Sequence, residues 1–263
     1  MNSITSLIKR YPLASYFLLA YAFAWSLVLL SSVSLLFGFL ALFGPGAAAM
    51  IVTAVADGRT GMRALFRRVA IWRVGLHWYA VALGLPAVLS LGVVGLSIAL
   101  GAPAEVQFSE LSPLTVALFF LVIGEELGWR GYALPRLQER LGGLGASLIL
   151  GILWAAWHLP NQFIPGLEFY GYGFGAFALY VVAMTVLFTW LANQSGGSVL
   201  LAWLFHGAIN TLIFVNSAVD IVQRWWLSAA IYGAVALIVV LVAGPRLTRR
   251  RRMQAQVEPA VGS

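Results

Sequence analysis

The chain has 263 residues, of which 61% are apolar and 10% charged, with no cysteine and a formal charge of +7. A soluble domain carries about 45–50% apolar and about 25% charged residues, so this composition cannot cover a water-facing surface and excludes a soluble enzyme. The absent cysteine removes disulfides, thiolate metal centres, iron-sulfur clusters and a cysteine nucleophile in one step.

Apolar runs fall at 12–31, 33–56, 76–100, 112–134, 144–163, 173–192, 198–215 and 225–243. Each is long enough to cross a hydrocarbon core of about 30 Å, allowing for tilt, so eight spans are predicted. The first follows Lys9 and Arg10 but continues without a clear small-residue cleavage site, and reads as a retained span rather than a signal peptide. Between the second and third runs, Met62, Leu65, Phe66, Val69 and Trp72 share one helical face with arginines opposite, the pattern of a short amphipathic helix at the lipid surface.

With the N-terminus inside, the inner side receives Lys9, Arg10, Arg59, Arg63, Arg67, Arg68, Arg73, Arg130, Arg136, Arg140, Arg246 and Arg249 to Arg252, fifteen of the sixteen basic residues, and only Arg224 lies outside. This asymmetry accounts for the high charge, so nucleic acid is not an expected partner. Both termini are expected to be cytoplasmic, in the cell (inner) membrane. Residues 246–263 read as a basic, disordered cytoplasmic tail. The predicted fold is all-α: a polytopic membrane bundle of about eight transmembrane helices with one interfacial helix, a single membrane domain over residues 1–263.

Three spans hold residues that lipid should not contain. Glu125 and Glu126 follow an apolar run from Leu114. A charge at the centre of a span costs about 2.5–3.5 kcal/mol on insertion scales, so adjacent acids there are functional candidates. On a helix, Glu126 and Arg130 stand at i and i+4, and the arginine can neutralise that acid; Glu125 points about 100° away, toward a different partner. A helix ending near Leu121 would instead make both acids ordinary interfacial residues.

Trp154 and His158 form a second i, i+4 pair, and His206 and Asn210 a third. Taken singly, His158 is compatible with a packed histidine, and His206 with Asn210 with a helix-packing pair. Taken together, costly polar groups on three spans are most cheaply placed around one water-accessible cavity. By helical rise, His158 and Glu125 lie within about 7 Å in depth. His77, beside Trp78 and Tyr79, looks interfacial.

No HExxH helix and no Gly-x-Ser-x-Gly elbow occurs, and the two aspartates, Asp57 and Asp220, fall in loops on opposite sides. What remains is a carboxylate, two imidazoles and an amide. A shielded glutamate with a histidine nearby can deprotonate water for attack on a carbonyl, and the amide with the second imidazole can donate to the oxyanion.

The order EExxxR, then aromatic-xxxH, then HxxxN on separate spans resembles the CPBP family of intramembrane proteases, which includes type II CAAX prenyl endopeptidases and bacteriocin-processing or immunity proteins. The similar core runs from about residue 113 to 210; the family commonly has phenylalanine where this chain has Trp154. The resemblance implies a glutamic endopeptidase with Glu125 as general base, His158 assisting, His206 and Asn210 stabilising the oxyanion, and Glu126, Arg130 and Trp154 organising the site. No cofactor is expected, because EExxxR supplies an internal cation for one acid; the resemblance implies a membrane-associated peptide or protein substrate, with or without a lipid modification. Three alternatives stay open: a zinc enzyme ligated by His158, His206 and a glutamate, a non-proteolytic immunity or binding protein, and a proton-coupled transporter.

Overall fold

The computed structural model describes residues 3–108, 111–165, 167, 170–171 and 173–248, so the basic run at Arg249–Arg252 and the rest of the expected tail lie outside the described residues. Helix α1 (Ser3–Arg10) leads into α2 (Pro12–Leu29), whose buried residues Tyr16, Ala20, Ala24 and Val28 recur every fourth position. After α3 (Leu35–Ala41), α4 (Gly44–Ala56) lays Gly44, Ala48, Ala49 and Val52 against that stripe. Small residues on both faces let the backbones approach closely, which is what favours helix association in lipid. A Cβ placed on Gly44 would stand 3.2 Å from Ala24.

The amphipathic segment forms α5 (Gly58–Val69), with Leu65 buried and Arg59, Arg63 and Arg67 exposed. It stops before Trp72, which the sequence pattern had included. Helix α6 (Leu76–Ala99) crosses back, and β1 (Val106–Phe108) precedes α7 (Pro113–Leu121), capped by the Ser112 hydroxyl. The chain breaks at Val122, resumes as α8 (Ile123–Glu126), widens into a π-helical turn over Leu127–Ala133, and continues as α9 (Leu134–Trp157). Gly142, at φ 68°, divides α9 into two stretches.

A 3-10 turn, Leu159–Gln162, follows, then α10 (Phe174–Gln194), α11 (Val199–Thr211), β2 (Phe214–Asn216) and α12 (Ile221–Ala243). Strands β1 and β2 pair antiparallel with Gln107 opposite Val215. Helix α10, the most enclosed, packs between α9 and α12, while α11 lies against α6 and α7.

The protein is an all-α polytopic membrane bundle. All eight predicted runs are largely helical, but among the described residues five helical stretches are long and apolar enough to span, or six if the α3–α4 pair, bent by 44°, counts as one. Two runs are joined in the continuous stretch Pro113–Trp157, and another yields the 13-residue α11, which at about 1.5 Å per residue reaches only about 20 Å.

The two ends of the bundle are pinned by different contacts. At one end Arg136 pairs with Asp57 at 2.7 Å, Ser198 Oγ donates to the Ile71 carbonyl at 2.7 Å, and Asn193 Nδ2 donates to the Arg246 carbonyl at 3.1 Å. At the other, Asn216 Nδ2 donates to Ser97 Oγ and to the Pro103 carbonyl, both at 2.9 Å, and the Phe214 amide donates to Ser90 Oγ at 2.9 Å.

Candidate active site

The acids occupy the short α8 where it crosses α4, and the crossing depends on glycine. A Cβ on Gly124 would come within 2.8 Å of the Leu42 carbonyl oxygen, and one on Gly128 within 2.5 Å of Pro45. The resulting contact seals one side of the segment, so Glu125 is 2% exposed and Glu126 fully buried. The helix does break near Leu121, at Val122, yet the acids are core residues and not interfacial ones.

The neighbouring carboxylates face different partners. Glu126 Oε1 accepts from Arg130 Nη1 at 2.8 Å and lies 2.7 Å from His206 Nδ1. Arg130 is itself buried, with its guanidinium carbon 3.6 Å from the Phe188 ring centre and 4.1 Å from that of Trp154. Its Nε and Nη2 have no hydrogen-bond partner among the described residues, nor does Glu126 Oε2. Aromatic faces therefore supply much of the arginine's remaining environment.

Glu125 turns the other way. Its Oε2 accepts from Trp154 Nε1 at 2.9 Å and from Trp129 Nε1 at 3.3 Å. His158 Nδ1 lies 2.8 Å from the Trp154 carbonyl. Since a carbonyl can only accept, Nδ1 carries the proton, and in the neutral ring Nε2 is the acceptor nitrogen. Trp154 thus holds Glu125 through its indole and orients His158 through its backbone. Its ring also meets His206 edge-on at 5.3 Å.

A cavity of about 490 Å³ is lined by Glu125, Trp154, His158, His206 and Asn210, together with mainly apolar residues of α2, α3, α6, α7, α10 and α12. Four polar candidates from the sequence therefore line the same cavity as Trp154, while Glu126 and Arg130 are not among its lining residues. His77 is exposed, its ring tilted against that of Trp78, and it does not line the cavity. Sequence reading missed Trp129 and Phe188. Trp129 lies one turn after Glu125, a spacing that could have been noticed; Phe188 sits on another helix in an apolar run and gives no signal.

Among the described residues no three His, Asp or Glu side chains converge as metal ligands. Each cavity histidine is oriented through Nδ1, one by a carbonyl and one by Glu126, which leaves Nε2 as the second ring nitrogen of each.

Fold and site together define a polytopic membrane protein with a buried glutamate and histidine centre opening on a cavity. Residues 107–212 match the family model described as Type II CAAX prenyl endopeptidase Rce1-like, and that stretch contains all three motif elements. A curated relative, CAAX prenyl protease 2 of Methanococcus maripaludis, is 35% identical over 145 residues, covering 49% of this chain and 53% of the relative. The chain thus spans about half the length of the curated relative it matches. Over these residues the chain is similar to the CPBP/CAAX protease family.

Proposed function

We propose that the protein is an intramembrane endopeptidase that hydrolyses a peptide bond with a glutamate-activated water. The observation carrying this is the division of labour between adjacent acids: Glu126 is neutralised by Arg130 and does not line the cavity, while Glu125 lines it with His158, His206 and Asn210.

Water bound between Glu125 and His158 Nε2 gives a proton to Glu125 as its oxygen attacks the substrate carbonyl carbon. The carbonyl oxygen becomes an oxyanion, which accepts from the Asn210 amide and from His206 Nε2. In that role the His206 imidazole is doubly protonated, giving Nδ1–H to Glu126 and Nε2–H to the oxyanion. The tetrahedral centre then collapses, the C–N bond breaks, and protonated Glu125 passes its proton to the leaving amine. Trp129 and Trp154 fix the carboxylate so that the base needs no reorientation during the reaction.

The substrate on this reading is a membrane-associated polypeptide. The relative's name includes prenylated substrates in that class. Comparison of peptide termini in host membranes carrying the wild type or Glu125→Gln identifies the cleavage. Purified wild type in liposomes is expected to cut the peptide so found, and Glu125→Gln of unchanged melting temperature is expected not to. Equal cleavage by the two proteins sinks the proposal.

A further inference from the structure

Arg224 apart, the basic residues of the described chain lie toward one end of the bundle and the cavity residues toward the other. In α2 the chain enters at Lys9 and Arg10 and reaches the cavity at Val28 and Ser31; α6 follows Arg73 and reaches it at Ser90 and Ser97; α12 leaves it at Arg224 and ends near Arg246. The ion pair between Arg136 and Asp57 and the bond from Ser198 to Ile71 tie the basic segments to one end. At the opposite end Arg224 is the single basic residue, in the company of Glu105 and Asp220, so that end is not cationic.

Basic loops are retained on the cytoplasmic side of a membrane, and the bias is counted over short segments beside the spans, as here. From the opposition of charge and cavity we infer that the catalytic cavity opens on the extracytoplasmic side, and that its substrates are exported or membrane-inserted segments presented from that side. The substrate class rests on the endopeptidase reading; the sidedness does not.

The absence of cysteine gives a clean test. Three single-cysteine variants are expressed in a bacterial inner membrane: Ala218→Cys, on the exposed turn beside cavity residue Val219; Asn161→Cys, on the cavity wall; and Ala64→Cys, on the exposed face of α5. Spheroplasts are treated with a membrane-impermeant maleimide before and after permeabilisation. Ala218→Cys and Asn161→Cys are expected to label to the same extent in both states, and Ala64→Cys only after permeabilisation. Should Asn161→Cys fail to fold, the exposed Ala218→Cys still decides. Labelling of Ala64→Cys in intact spheroplasts, or of Ala218→Cys only after permeabilisation, overturns the inference. The labelling reads no hydrolysis, so inactive Glu125→Gln protein with cysteine at 218 must give the same sidedness, and failure of the proteolytic mechanism leaves the result intact.

Discussion

Trp154 does more than its place in a motif requires. Its indole N–H donates to Glu125 at 2.9 Å, its carbonyl accepts from His158, and its ring faces Arg130. Phenylalanine, common here in the resembling family, keeps the ring and the carbonyl but removes the donor. A hydrogen bond to a charged group contributes about 1.5–3 kcal/mol, so Trp154→Phe is expected to lower the melting temperature and, by loosening the base, to lower kcat/KM by about tenfold or more; unchanged kcat/KM shows that Trp129 alone suffices. Arg130→Met should weigh more on stability. It takes the guanidinium from the buried Glu126 and leaves only His206 beside that carboxylate; losing one partner of a buried pair typically costs about 3–5 kcal/mol, and thermal unfolding in detergent is expected to show a loss of folded protein. The Glu126–Arg130 pair was legible because helix geometry puts i and i+4 on one face. The bond from Trp154 to Glu125 was not, because it joins residues 29 positions apart on elements whose packing no local pattern encodes.

At the scale of elements, the decisive contact is the crossing of α8 and its π-helical turn over α4. The turn adds width where Gly124 and Gly128 admit the α4 backbone, which brings both acids into the core without a side-chain spacer. Gly128→Ala places a Cβ against Pro45, and overpacking of this kind costs about 1–3 kcal/mol. The melting temperature is expected to fall, with cleavage falling further because Glu125 and Glu126 ride on the displaced segment. Gly84→Ala in α6, where a Cβ meets nothing within 4 Å, should leave both unchanged and serves as the control. The apolar runs made the helices visible in sequence, but their breaks were less so. Val122 and Gly142 interrupt hydrophobic or periodic stretches without a proline signal, α11 ends after 13 residues, and the three-residue strands β1 and β2 are too short to show alternation.

For the whole molecule, the same charge asymmetry that organises the bundle makes its orientation editable. Arg59, Arg63 and Arg67 are exposed on α5 and Arg73 lies just beyond it, whereas Arg68 packs against Gly197, with burial and the nearby Arg136 lowering its pKa. The four exposed arginines can therefore be changed to glutamine while Arg68 stays, which preserves the packed contact and removes a large part of the topological signal. If that signal sets sidedness, pairing these changes with Gln107→Arg on exposed β1 and Ser217→Arg beside β2 should produce a mixed population. In that background Ala64→Cys and Ala218→Cys would each become labelled partly before and partly after permeabilisation. Cleavage after solubilisation should remain near wild type, since none of the altered residues lines the cavity. Unchanged single-sided labelling would show that the apolar spans, and not the loop arginines, fix the orientation of this bundle.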